Sequence, residues 1–388
     1  GLKWSVVSVP NGAQGAKRAI QRELEYVEKF QTVVFMFDMD EQGQRATKEC
    51  AQLITAGKAK IAFLPLKDAN EMLKAGRGAE LIQAVWNAKE YRPDGLVSGP
   101  ETWEHFLKKK HAKSFPYPWE FLNKKTHGLR KKEIVTVTAG TGIGKSTFCR
   151  ELAYYLVKKG QRVGYIALEE SVGMTVESFM SIELNTPLHL NPNVVSDEML
   201  RKAWESVCKN DKLYLYDHWG SNDIDVILGK LKFLAKSYNV DWLFLDHISI
   251  VVSGISDGDE RRMIDNMMTK LRTFVEETNV GLIIVSHLRK ADDKSAHEEG
   301  GRVKLTHLRG SGAIAQLSDI AIALERDQQS EDGDANVADV RVLKNRFSGE
   351  TGLCGHVLYD RLTGRLYETT RKEAEAEQKF VDETNSDY

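Results

Sequence analysis

Apolar residues along this chain alternate between two rhythms: short continuous or every-other-residue runs that predict strands, and runs spaced three and four apart that predict helices. Through residue 90 the rhythm predicts a small α/β unit, with strands at Trp4–Val9, Thr32–Phe37 and Lys60–Leu64 and helices at Lys17–Phe30 and Gln42–Ala56. From 91 to 115 the pattern weakens. Arg92-Pro-Asp-Gly95 is a turn cluster, and Glu101–His111 is a lone helix whose Trp103, Phe106 and Leu107 need something to dock on. Alternation resumes over 116–368, with strands at Ile134–Thr138, Arg162–Leu168, Lys212–Tyr216, Trp242–Leu245, Gly281–Ser286, Ile320–Leu324, Ala338–Leu343 and Gly355–Leu358. Helices at Phe148–Lys159, Glu198–Lys209, Asp223–Tyr238 and Arg262–Thr278 separate the earlier ones. The expected fold is α/β, a mostly parallel sheet with helices on both faces that ends in antiparallel strands. Residues 369–388 are polar and acidic and predict a disordered tail.

Composition narrows the classes. A length of 388 residues suits two or three domains. No apolar run is long enough for a membrane span, no secretory signal is visible, and Cys50, Cys149, Cys208 and Cys354 form no C-x-x-C pair. A soluble cytoplasmic protein without a zinc site is expected, and Gly1 in place of Met suggests a processed, tagged or partial chain. The net charge of −2 conceals a basic, aromatic-rich stretch over Tyr117–Lys132, which suits either a nucleic-acid surface or a solvated loop.

The candidate chemistry gathers around Ala139-Gly-Thr-Gly-Ile-Gly-Lys-Ser146, set between a strand and a helix start. Glycines at 140, 142 and 144, with Thr141 and Thr147, form a cradle whose backbone N–H groups face phosphates; Lys145 reaches the β- and γ-phosphates and the Ser146 hydroxyl faces Mg²⁺. Ala139 holds a position that the usual pattern gives to Gly, which the turn tolerates unless φ there is positive. Downstream strands end in candidate partners. Asp246 closes an apolar strand and suits the metal shell; Glu169 is the candidate base that polarises water, ahead of Glu170. His287 ends another strand, where a structural role competes with sensing the γ-phosphate. The following stretch to Gly310 carries Arg289, Lys290, Lys294, Arg302, Lys304 and Arg309 with little periodicity. It reads as a mobile basic loop that grips a nucleic-acid backbone, although Asp292, Asp293, Glu298 and Glu299 also suit a solvated loop. In the first unit, Asp38 and Asp40 end a strand one residue apart, a geometry equally suited to Mg²⁺ and to capping the next helix.

Several stretches together resemble the replicative helicase domain of the bifunctional primase-helicases of T-seven-like bacteriophages, with DnaB-type and Twinkle helicases as more distant relatives. They are Glu169-Glu-Ser171, Leu245-Asp-His-Ile-Ser-Ile-Val-Val-Ser253, Asp259-Glu-Arg261, Arg309-Gly-Ser-Gly-Ala313 with Gln316 and Ser318-Asp319, Leu324-Glu-Arg326 and Leu343-Lys-Asn-Arg-Phe347. Phe37-Asp-Met-Asp40 with Lys67-Asp-Ala-Asn-Glu71 resembles the later half of that family's TOPRIM primase domain. The resemblance implies a RecA-like P-loop NTPase core, preceded by a partial TOPRIM-like domain, in a ring of six or seven subunits with an NTP, dTTP or ATP, at each interface. It implies that His287 and Gln316 report the γ-phosphate, that Arg346 is a finger reaching the neighbour's site, and that Arg326 and Tyr359 pack the nucleotide base. The helix near 101–111 would dock on the adjacent subunit.

The family's upstream TOPRIM Glu and zinc-binding domain have no counterpart here, so primer synthesis by this chain is not expected. Asp293 and Ser295 stand where the family has Lys. The acidic tail ends in Tyr388 where the phage family ends in Phe, and suits docking on a replicative polymerase or simple solubility. The expected function is NTP-driven 5′→3′ translocation on single-stranded DNA and unwinding of forked duplexes; the alternatives are a primase and a RecA-like DNA-binding NTPase that does not unwind.

Overall fold

The computed structural model describes residues 5–93, 96–97, 99–110, 113–191, 193–217, 224–248, 257–289, 297, 299–308, 312–330 and 334–370. The chain divides into two compact units, 1–110 and 111–388. In the first, β1 (Val33–Phe35) pairs parallel with β2 (Ala59–Ile61), which pairs antiparallel with β3 (Lys89–Glu90). The helix Glu41–Ala51 lays Ala46, Cys50 and Ala51 on a small core with Ala16, Phe35 and Ile54. The strand expected at Trp4–Val9 does not form among the described residues: 5–9 join no sheet, and Val6 and Val7 are exposed. An apolar pair is not enough without a neighbouring backbone to hydrogen-bond.

The second unit is built on a nine-stranded sheet. Its strands are β4 (Ile134–Ala139), β5 (Val163–Ala167), β6 (Leu213–Leu215), β7 (Trp242–Asp246), β8 (Gly281–His287), β9 (Ile320–Glu325), β10 (Val337–Asn345), β11 (Gly352–Asp360) and β12 (Arg365–Thr369), in the order β12-β11-β10-β9-β4-β8-β7-β5-β6. From β9 to β6 the pairings are parallel; from β9 to β12 they are antiparallel. β4 lies between β8 and β9, and all six of its residues are buried. Continuous apolar composition there reflects cover on both faces. On one face the helix Lys145–Lys158 contributes Phe148, Leu152 and Leu156 to the core, with Trp119 stacked on Phe148. On the other, the helices Ile224–Ser237 and Asp257–Thr278 contribute Ile227, Leu231, Met267 and Leu271. Parallel strands bring their C-terminal ends to one edge, where ligands of such sheets collect.

Candidate functional site

β4 runs straight into the glycine-rich turn. Ala139 is the last residue of β4, level with His287 and Leu324 on its two neighbours, so it has extended backbone and needs no glycine. The left-handed positions come later, at Gly142 (φ 73°) and Gly144 (φ 109°). Gly140 is required for a different reason: a Cβ there would lie 2.9 Å from Ile143 Cδ1 and 3.2 Å from the backbone and Cβ of His297. Gly144 precedes the helix Lys145–Lys158, whose first turn holds Lys145, Ser146 and Thr147, and a helix N-terminus of this kind suits an anion. Lys145 is buried, and its Nζ donates to the carbonyls of Ala139 (3.1 Å) and Gly140 (2.8 Å). Gln328 and Arg326 clasp the same turn, donating to the carbonyls of Thr141 (2.7 Å) and Gly142 (3.1 Å).

Beside the cradle, the last residue of β7 is Asp246, 7 % exposed. Its carboxylate is hydrogen-bonded by Ser146 and, at 3.2 Å, by the Tyr165 hydroxyl from β5. Burial pushes the Asp246 carboxyl above its usual range, and the bonds from Ser146 and Tyr165 with nearby Arg150 only partly offset this. An under-compensated buried carboxylate against a hydroxyl is the oxygen donor set that suits Mg²⁺.

Glu169 and Glu170 part ways here. Glu170 is held by Arg150 (2.5 Å) and by the Thr175 hydroxyl (2.9 Å). The Glu169 side chain is 59 % exposed and contacts His247 Nε2 through Oε1 at 2.6 Å. His247 lies edge-on against His287, with ring centroids 3.9 Å apart. Among the described residues, Glu169, His247 and His287 are a group of potential metal ligands with ligand atoms within 4.8 Å of one another, while Asp38 and Asp40 belong to no such group. Asp40 Oδ1 accepts from the Gly43 N–H at 2.8 Å, capping the helix Glu41–Ala51.

The remaining candidates lie around this edge. Tyr359 is half-buried on β11 and acts electrostatically on Arg326, whose guanidinium burial and Arg361 disfavour. Gln316 is exposed on the helix Gly312–Leu317, and its carbonyl accepts from Lys344 Nζ and Arg346 NH2, both at 2.8 Å. Arg346, half-exposed after β10, also pairs with Asp319 at 3.2 Å. Arg289 and Lys304 are exposed on the described parts of the basic loop, where the Arg289 N–H donates to the His307 carbonyl. Lys290, Lys294, Arg309, Gly310 and the tail from 371 lie outside the described residues.

Sequence reasoning did not single out His247, Tyr165, Arg150, Gln328 or His297 for this site. His247 follows a candidate ligand directly, which is a signal; the others act across strand or loop neighbours that spacing does not reveal.

Residues 116–363 match the DnaB-like helicase C terminal domain. The chain belongs to the DnaB-like helicase family. Residues 2–73 of this DnaB-like chain match a Toprim-like family. It is 41 % identical over 374 residues to the DNA helicase/primase of Enterobacteria phage T3, an alignment covering 94 % of this chain and 66 % of that protein. It is 28 % identical to a probable plasmid replicative DNA helicase of Chlamydia psittaci, over 56 % of this chain and 48 % of that one. The chain thus spans just under two thirds of the phage relative and about half of the plasmid helicase. Among solved structures, an ATPase domain aligns at TM-score 0.57 with 19 % identity, over 71 % of this chain and all of that one. A DnaB-like replicative helicase solved for its interactions with primase aligns at 0.56 with 17 % identity, over 93 % and 80 %. The fold of this DnaB-like chain is therefore a RecA-like P-loop NTPase core with a mixed sheet, preceded by a Toprim-like α/β domain.

Proposed function

We propose that this chain is an NTP-driven DNA helicase that moves 5′→3′ on single-stranded DNA and opens forked duplexes as a ring of six or seven subunits. The observation that supports it most is the convergence, at the ends of β4, β5 and β7, of Lys145, the Ser146–Asp246 pair and the Glu169–His247 pair. In this reading the backbone N–H groups from Gly140 to Thr147 bind the β- and γ-phosphates, and Lys145 exchanges its two carbonyl acceptors for phosphate oxygens. Ser146 and Asp246 would hold Mg²⁺, which would supply charge neutralisation for phosphoryl transfer. Glu169 orients a water and accepts its proton, while Glu170 is kept from that role by Arg150 and Thr175. In the same reading His287 registers the γ-phosphate and passes its state to the basic segment that begins at Arg289, a role supported by its position at the end of β8 and its ring contact with His247. Gln316 serves as a second reporter. Arg346 is the finger for the neighbouring subunit's triphosphate, Arg326 and Tyr359 flank the base, and the substrate is dTTP or ATP. Arg289, Lys290, Lys294, Lys304, Arg309 and Gly310 form the DNA-facing loop, and the acidic tail is a docking segment for a replicative polymerase.

The direct test is unwinding of a forked duplex together with hydrolysis stimulated by single strands. Lys145→Ala and Glu169→Gln are expected to abolish both, and Arg346→Ala to lower kcat by about 10³-fold while leaving nucleotide binding intact. Hydrolysis indifferent to single strands, with no unwinding, would favour a non-translocating NTPase. Template-directed primer synthesis, if detected, would assign the primase reading to the first unit.

A further inference from the structure

Asp319 immediately precedes β9 and is 5 % exposed. Each of its polar groups bonds one of two residues that matter to separate sites, and its Oδ2 has Arg272 as a further partner. Its N–H donates to the carbonyl of Ile134 (2.8 Å), and its Oδ2 accepts from the Ile134 N–H (2.8 Å). Its carbonyl accepts from the Arg346 N–H (2.8 Å), and its Oδ1 accepts from Arg346 NH1 (3.2 Å). Ile134 is the first residue of β4, the strand whose far end opens the phosphate cradle. One residue therefore clips the base of the cradle strand to the candidate finger. A second guanidinium, Arg272, donates to the same Oδ2 at 2.5 Å and has Glu276 as a further partner at 2.5 Å. Arg346 thus shares its carboxylate and keeps a half-exposed guanidinium, whose NH2 is hydrogen-bonded to the Gln316 carbonyl.

We propose that Asp319 is the positioning residue for Arg346, setting the finger's reach toward the neighbouring subunit from the register of the strand that carries this subunit's own cradle. The inference rests on the reading of Arg346 as a finger acting in trans. A free arginine side chain loses much rotamer entropy when its tip is fixed, and displacement of a catalytic group by about 1 Å can lower a rate by about 10²-fold. Asp319 is buried while the Arg346 side chain is about half exposed, so the pair anchors the guanidinium at its base and leaves its outer face open toward a neighbour.

Asp319→Asn separates these roles. The Ile134 N–H and Arg272 both require an oxygen at the Oδ2 position, so the amide NH2 takes the Oδ1 position and faces the Arg346 NH1, donor against donor. The backbone bonds to Ile134 and Arg346 remain. The expected result is a folded, assembling protein with kcat lowered about tenfold or more and nucleotide KM within about twofold. Mixing it with Glu169→Gln subunits, which lack a base but keep a well-placed finger, restores part of the hydrolysis, as mixing does for Arg346→Ala. Arg272→Gln removes the other guanidinium from the same carboxylate; it is expected to lower the melting temperature and leave kcat near that of the unaltered protein. The proposal is overturned if Asp319→Asn retains full kcat, if its loss is not restored under conditions that restore Arg346→Ala, or if Arg272→Gln loses as much kcat. If Arg346→Ala itself loses no activity, the finger reading falls and this inference with it.

Discussion

Glu169 and Glu170 are adjacent and chemically identical, yet their surroundings separate them. Because Glu170 is paired with Arg150 and Thr175, while Glu169 meets only an imidazole among the contacts described, Glu170→Gln should retain most hydrolysis and lower the melting temperature, whereas Glu169→Gln should eliminate turnover. Steady-state kinetics beside thermal melting checks the contrast. The sequence reading puts Glu169 ahead of Glu170 as the base; the contacts that separate the two acids were not legible in the chain, because Arg150 lies on the helix after β4 and Thr175 on the helix after β5. The cysteines permit a second residue-scale prediction. Burial pushes the Cys50 thiol up to about 11 and that of Cys149 well above its usual value. Native alkylation near neutral pH should therefore spare both, and label all four cysteines only after unfolding. The linkage follows in sign: above the ordinary thiol value of 9.0 the unfolded chain loses the Cys50 proton first, so this contribution to stability declines as pH rises from there toward about 11.

At the scale of elements, the long apolar runs were read correctly because strands buried on both faces carry an unambiguous signal. Elements with weaker signals were passed over. The helix Val172–Leu184 begins Val-Gly-Met-Thr-Val, a poor helical opening, and is fixed instead by Ser171 accepting from the Met174 N–H and by packing of Phe179 and Ile182. β12 was missed because its pairing partner β11, not its own alternation, defines it. Two substitutions test local packing and capping, one inside each unit. Gly281 starts β8 under the ring of Trp242, where a Cβ would approach to 2.2 Å; Gly281→Ala should destabilise the protein by about 1–3 kcal/mol, read by chemical denaturation. Asp40→Ala should cost about 1 kcal/mol through its helix cap and Asp40→Ser much less, since serine caps as well. Equal loss in both would show that the carboxylate acts other than as a cap.

For the whole molecule, assembly is the property on which the proposed function depends. On the helix Thr102–Lys110, Trp103 and Phe106 stack with centroids 5.4 Å apart and are 63 % and 53 % exposed, and the proposed ring would cover them. Replacing both with Ala should shift the protein toward monomers in sizing experiments with a non-hydrolysable NTP and single-stranded DNA, and should reduce hydrolysis in parallel. A ring that survives the change would remove this helix from the interface. No helix among the described residues is long and apolar enough to cross a membrane. The chain by itself determined most strands and the longer helices of the second unit, apart from Val172–Leu184 and β12, and the residue types at each strand end, since periodicity and turn chemistry are local. Only the folded sheet decided which of those ends are neighbours: the order β9-β4-β8-β7-β5 sets His247 against both Glu169 and His287, and Asp319 between Ile134 and Arg346. Pairing between strands distant in the chain is fixed by burial and hydrogen bonding summed over the whole core, and no local stretch carries that information.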